Sequence, residues 1–380
     1  MMTAFHRGAG RPLAKPIPER IKEAREARGF TPEDFAIELG VSRQALAQYE
    51  TGQITPSGAV MSTIVGLTAQ PHSFFTTQRN RTGDGIRPFW RSLKRMDSKH
   101  RRRIARRLEW AYDVCEYINQ FIELPHPHIK PANRDFLNLT DEDIEHAAEV
   151  LRDAWGLGRE PIRDLTSIFE KNGVVLICET VNCDDMDAVS CWQGGRPFIL
   201  YSSEVKSWPR RAFNLAHELG HLVLHAGVEP TIETIDKIER QANRFAGAFL
   251  MPRESFSREV LGTSISYFLS LKSRWRVAIS AMAYRCKDLG IFSINQQSYL
   301  MRQMNSQRIR EVEPLDDAFP FSPPSMLGQA ISMLIEHKVQ SRSQIEGALG
   351  LNLQDVESLC GLELGFLDSR VVPLRLKQPE

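Results

Sequence analysis

The sequence has no apolar run long enough to cross a bilayer. Its longest, such as "GVVLIC" and "HLVLHAGV", fall far short of the roughly 20 residues a spanning helix needs. The opening stretch "MMTAFHRGAGRPLAKP" lacks the apolar centre of a secretory signal, so the expectation is a cytoplasmic protein with no membrane partner. Cysteine is sparse: there are 6, at 115, 178, 183, 191, 286 and 360, with no C-x-x-C pair. That argues for reduced thiols and against a thiolate metal knuckle. No G-x-S-x-G elbow is present, so nothing points to the serine nucleophile of that class. The chain also lacks net charge, at +1. The balance hides one asymmetry: between Arg91 and Arg107 stand Arg91, Lys94, Arg95, Lys99, Arg101, Arg102, Arg103, Arg106 and Arg107 against one acid, Asp97. Such a run is expected to meet phosphates or to form a solvated helix face. No internal repeat of fixed period stands out, and 380 residues leave room for two or three domains.

What is present is punctuated. Residues 1–16 are basic and rich in Gly and Pro, as expected of a flexible arm. A helix is predicted over about 18–28, ending at Gly29. Thr31-Pro32-Glu33-Asp34 then supplies an N-cap, a proline at the first helical position and first-turn acids. Gly40 ends that helix and Ser42 caps the next. Helix, short glycine turn and helix make the helix-turn-helix pattern. In "GVSRQALAQYETGQ" the cap Ser42 leaves Arg43, Gln44, Ala47 and Gln48 on the exposed front, while Val41, Leu46 and Tyr49 turn inward. Arg suits guanine and Gln suits adenine in the major groove of double-stranded DNA. Thr51 and Gln53 are placed to touch phosphates. The acids Glu33, Asp34, Glu38 and Glu50 imply modest affinity, helped by a homodimer.

Residues 71–90 read as a loop, followed by a helix over about 97–122 with Ile104, Leu108, Ala111, Cys115 and Ile118 at helical spacing. Helices are predicted from Asp141 to Trp155 and from Ile162 to Asn172. "VVLICE" and "RPFILYS" read as strands, separated by turn residues Asn182, Asp184, Asp185, Gly194 and Gly195. Helices over 210–225 and 234–250 follow, the second ended by Met251-Pro252. The remainder is mostly helical, Trp275 is expected in the core, and "DDAFPFSPP" is expected to be a linker.

Chemistry concentrates in "AHELGH". On a helix His217 and His221 lie one turn apart on one face, close enough to share a metal ion, and the arrangement suits zinc. Glu218 is displaced around the helix, where it can face the water the metal activates. A third ligand is needed. His225 is too far along the same helix, since eight residues rise about 12 Å. The extended H-E-x-x-H-x-x-G-x-x-H form is absent too, because 224 is Leu and 227 is Gly. The next helix offers Glu239 at the border of a face made by Ile235, Ile238, Ala242, Phe245, Ala246 and Phe249, with Asp236 and Glu233 as fallbacks.

Three ordered blocks, "RRAFNLAHELGHLVLH", "IERQANRFAGAFLMP" and "SLKSRWRVAISAMAYRCKDLGIFS", resemble the ImmA/IrrE metallopeptidase family, in the version fused to an N-terminal Xre/Cro-type helix-turn-helix. The resemblance implies His217, His221 and Glu239 as ligands of one Zn2+ per chain, and Glu218 as the general base of a gluzincin-like endopeptidase. The family often has a second acid just before "AN", where this chain has Gln241. The resemblance further implies cleavage of a repressor or antitoxin-like partner encoded nearby, derepressing stress, mobile-element or phage-defence genes. The alternative is a helix-turn-helix repressor or antitoxin whose zinc domain is a sensor or structural module. The expected fold is α+β, mainly α. Residues 17–76 form a five-helix helix-turn-helix domain and 77–135 a linker with the basic helix. Residues 136–256 form a zincin-like domain with a small β-sheet and the H-E-x-x-H helix. Residues 257–380 form a helical C-terminal region that senses a signal or holds substrate.

Overall fold

The structure, a computed structural model, describes residues 15–79, 88, 96–131, 135–183, 186–310 and 312–368. Residues 1–14 of the expected arm, Arg91 to Arg95 of the basic run and the turn residues Asp184 and Asp185 lie outside them. The chain divides into two compact units, residues 1–83 with 343–352, and residues 84–342 with 353–380.

In the first unit five helices follow in quick succession: α1 (Pro18–Ala27), α2 (Pro32–Glu38), α3 (Arg43–Glu50), α4 (Gly58–Thr68) and α5 (His72–Thr76). Side-chain oxygens begin three of them. Thr31 Oγ1 accepts from the Asp34 amide at 3.1 Å, Ser42 Oγ from Ala45 at 3.1 Å, and Ser57 Oγ from Val60 at 3.4 Å. Each satisfies an amide the helix cannot. Between α2 and α3, Gly40 takes φ +66°, the left-handed conformation glycine adopts most readily. Ile21, Phe35, Leu46, Ile64, Phe74 and Phe75 close the core. Arg25 donates to both oxygens of Glu50 at 2.6 and 3.1 Å and to the Phe30 carbonyl at 2.9 Å, clipping α3 to α1.

The second unit begins with α6 (Ser98–Asn119). A 3-10 turn (Phe136–Asn138), α7 (Asp141–Ala154) and α8 (Leu165–Lys171) lead to β1 (Val175–Glu179), β2 (Ala188–Gln193) and β3 (Arg196–Ser202). The sheet order is β1-β3-β2, with β1 parallel and β2 antiparallel to β3. Gly194 and Gly195, at φ +56° and +75°, make the two-residue turn that joins β2 to β3 with the twist the strands need. A Cβ at Gly194 would lie 2.6 Å from the Tyr112 hydroxyl. Next come α9 (Trp208–Leu224) and α10 (Ile235–Leu250), then α11 (Arg253–Glu259), α12 (Ile265–Trp275), α13 (Ile279–Asp288), α14 (Ile294–Ser306) and α15 (Met326–Glu336); α16 (Arg342–Leu349) falls, but for its first residue, in the first unit, and α17 (Leu353–Cys360) returns to the second. Helix α9 packs on β2 and on α10, so both its sides are covered; Leu215, Ala216, Leu219 and Leu222 are fully buried. A Cβ on Gly220 would meet Ala242 Cα and the Phe245 Cβ at 3.2 Å. Among the described residues no helix is long and apolar enough to cross a membrane.

Buried ion pairs tie this unit together. Arg285 donates to both oxygens of Glu145 at 2.6 and 2.8 Å and to the Met251 carbonyl at 3.0 Å, joining α13 to α7 and the end of α10. Removing one partner of such a pair leaves an uncompensated charge in the core. Glu145→Ala is therefore expected to destabilise the protein by about 3–5 kcal/mol, read as a lower denaturant midpoint.

The structure corrects several expectations. Strand β2 was not expected, since "AVSCWQ" lacks the alternation that marks a half-buried strand; Val189, Ser190 and Cys191 are all buried. The helix expected over Ile162–Asn172 begins only at Leu165, where Asp164 caps it by accepting from the Ser167 amide at 3.1 Å. The basic run is partly internal: Arg107 bonds Glu179 and Asp355, and Arg103 donates to the Val181 carbonyl at 3.1 Å. The segment "DDAFPFSPP" is no free linker. Asp316 pairs with the fully buried Lys272 at 2.6 Å, and the Arg211 guanidinium stacks 4.0 Å from the Phe321 ring. Trp275, by contrast, is core as expected, 1% exposed, with its indole N–H on Glu259 at 2.8 Å.

One likeness within the chain escapes a search for fixed period. Residues 341–360 set Ile345, Leu349, Gly350, Leu351, Val356 and Leu359 where residues 31–50 set Phe35, Leu39, Gly40, Val41, Leu46 and Tyr49. Gly350 repeats the positive φ of Gly40, at +60°. In the later copy Asp355 and Glu357 are buried and bonded, so its second helix is committed to packing.

Candidate metal centre

Helix α9 carries His217, Glu218 and His221, each 2% exposed. The i,i+4 spacing brings the two histidine Nε2 atoms to 3.0 Å. Helix α10 runs back along α9 and delivers Glu239, whose two carboxylate oxygens lie 3.4 Å from His217 Nε2 and 3.4 Å from His221 Nε2. Ligands at 2.0–2.1 Å from a tetrahedral zinc are separated by about 3.3–3.4 Å. The donor set, two imidazoles and a carboxylate, therefore fits such an ion in both chemistry and spacing.

Glu218 forms with His217 and His221 a group of potential ligand atoms within 4.8 Å of one another. Its carboxylate, though, is held from the sheet, where Ser190 Oγ donates to Oε2 at 2.6 Å. Of the two carboxylates, Glu239 is the one paired with both imidazoles. The fallback acids Asp236 and Glu233 are exposed. Beside Glu218, Cys191 is fully buried; burial and then the Glu218 charge push its thiol well above the usual range, so it holds its proton at neutral pH.

Three further side chains support the histidines. His217 Nδ1 lies 3.0 Å from Asn243 Oδ1. His221 Nδ1 lies 3.1 Å from His225 Nδ1, His225 Nε2 lies 2.9 Å from Gln241 Oε1, and Gln241 Nε2 donates to the Phe136 carbonyl at 2.7 Å. Burial, then repulsion from His221, lowers His225 to about 3, so it is neutral at physiological pH. His225 thus touches the far nitrogen of His221, not the point where the other three converge. Sequence reasoning missed Ser190, Asn243, His225 and Gln241 in these roles. The one available signal was Gln241, a polar residue buried within an apolar helix face. Glu239 and Asn243 open onto a cleft of about 1310 Å³, also lined by Asn214, Phe213, Arg210 and Tyr284.

In the first unit, Ser42, Arg43, Gln44, Ala47 and Thr51 are exposed, Gln48 is half-buried and Leu46 is buried. Arg43 pairs with Glu33 at 2.9 Å, and Thr51 Oγ1 donates back to the Ala47 carbonyl at 2.8 Å. Arg43, Gln44 and Ala47 thus share a solvent-facing front at the start of α3. The charge of Glu50, expected to oppose DNA, is met by Arg25.

Comparison with known proteins bears on both units. Residues 169–287 match the model of a peptidase family, M78, described as an IrrE N-terminal-like domain. Residues 21–68 match a model described as helix-turn-helix. The two occur in the order of the fusion that the sequence resembles. No curated protein matches the chain.

Proposed function

Taking as premise an Xre-type helix-turn-helix followed by an ImmA/IrrE-like peptidase domain, we propose a zinc-dependent, site-specific endopeptidase tied to a DNA-binding module. Its substrate is a repressor or antitoxin-like protein encoded nearby, cut in the cytoplasm to derepress stress, mobile-element or phage-defence genes. The observation that carries this reading is the convergence of His217, His221 and Glu239 at 3.0–3.4 Å beside a separately held Glu218.

In this reading His217, His221 and Glu239 hold one zinc ion per chain. Bound there, zinc supplies a Lewis acid that polarises a scissile carbonyl and acidifies water. Glu218 takes the proton of the attacking water and passes it to the leaving amine. Ser190 fixes the direction of the Glu218 carboxylate. The cleft beside Glu239 receives the peptide. The direct test is incubation of zinc-loaded protein with repressor-like proteins encoded beside its gene, read by intact mass. Two fragments summing to one substrate plus water are expected, and intact substrates throughout would overturn the substrate assignment.

Ser42, Arg43, Gln44, Gln48 and Thr51 are the proposed DNA contacts, with two copies on a symmetric operator. Gln44→Ala is expected to weaken binding to a duplex selected from random sequence by about 1–3 kcal/mol. Affinity for unrelated duplex at the same salt should change little, because phosphate contacts carry that term. Anisotropy titrations on both duplexes check this.

A further inference from the structure

We infer that Gln241 and His225 form a hydrogen-bond relay that fixes the tautomer of His221 and so presents its Nε2 lone pair to the metal. The inference rests on the metal reading above and concerns residues that make no direct contact with the ion.

The chain of directions starts at a group with one possible role. The Phe136 carbonyl can only accept, so the Gln241 atom 2.7 Å from it is the amide nitrogen. The other end of that amide, Oε1, is then an acceptor 2.9 Å from His225 Nε2, which must carry a proton. A neutral imidazole protonated at Nε2 has its lone pair on Nδ1. That lone pair faces His221 Nδ1 at 3.1 Å, which must therefore be the protonated nitrogen. His221 Nε2 is left as a lone pair, pointing to where His217 Nε2 and Glu239 converge. At His217 the logic is shorter: Nδ1 lies 3.0 Å from Asn243, whose oxygen accepts. All the relay side chains are buried, His225 fully and Gln241 to 3% exposed. Water is therefore a poor substitute for a missing partner.

Metal-binding histidines commonly donate their second nitrogen to a carbonyl or carboxylate, and loss of that partner lowers metal affinity about 10–100-fold. Here the partner of His221 is another imidazole, which accepts only in one of its two tautomers. Gln241 makes that choice, making His225 and Gln241 positioning residues.

The test measures zinc affinity by chelator competition in the full-length protein and in His225→Asn, His225→Leu and Gln241→Leu. Histidine ring 15N spectra of the zinc-free protein are recorded alongside. Asn at 225 keeps an acceptor for His221 Nδ1–H; Leu fills similar space without one. The relay predicts affinity within a few fold of the parent for His225→Asn, a loss of about 10–100-fold for His225→Leu, and a loss in the same direction for Gln241→Leu. It also predicts that the zinc-free parent shows His221 protonated at Nδ1 and His225 at Nε2. A role in packing alone predicts the reverse order, Leu tolerated better than Asn at 225. That order, or His225 protonated at Nδ1, would overturn the relay. Unaltered far-ultraviolet dichroism separates loss of affinity from loss of fold. If the parent binds no zinc, the metal reading itself fails; if it binds zinc that Glu239→Ala abolishes while the 225 and 241 variants match the parent, only the relay fails.

Discussion

Glu218→Gln is expected to leave zinc bound and to lower the rate of peptide cleavage by about 10²–10⁴-fold, the usual contribution of a positioned general base. Gln is close to isosteric, and its carbonyl oxygen can still accept from Ser190 Oγ, which lies 2.6 Å from the carboxylate. The substitution therefore removes the proton acceptor and little else. Metal content by elemental analysis and turnover by mass spectrometry must be read on the same preparation. Full activity with bound zinc would remove Glu218 from the mechanism and favour a sensor or structural metal domain on a DNA-binding regulator.

The second large effect concerns Glu239→Ala, expected to abolish stable metal binding: zinc falls from about one per chain toward none after dialysis, because two neutral imidazoles alone neither complete the donor set nor supply charge. His217→Ala should behave alike. The protein should also lose the stabilisation that metal binding confers on the folded state, so the melting temperature of Glu239→Ala should no longer respond to added zinc. Retention of one tightly held zinc by Glu239→Ala would move the third ligand elsewhere, with Glu218 next in distance.

These residues were legible to different degrees. The meeting of His217 and His221 follows from i,i+4 geometry and can be read from six letters. Glu239 needed a second pattern, the apolar face of α10 that fixes which side of that helix turns toward α9. Caps and glycine turns exposed the helix-turn-helix, because Thr31, Ser42 and Gly40 act within a few residues of themselves. Ser190 was hidden twice over. Its strand has no alternation, since both sides are covered, and its bond to Glu218 spans 28 residues of chain. The Gln241–Phe136 bond spans 105. Contacts closed by packing leave no periodic trace, so side chains that steer the ligands are harder to see than the ligands.

Gly220, the fourth letter of the motif, sets a dimension. With hydrogen in place of a methyl, α10 can lie against α9 so closely that an added Cβ would sit 3.2 Å from Ala242 and Phe245. The two helices act as rails, and the gauge between them is the distance from the imidazoles to the carboxylate. Widening that gauge would lengthen the edges to Glu239 while leaving the His217–His221 edge, which lies within one rail, as it is. The cage would become lopsided, a poorer match to a small tetrahedral ion and a better one to a cation with longer bonds to oxygen. Ion choice is thus written partly in a residue that has no side chain to offer.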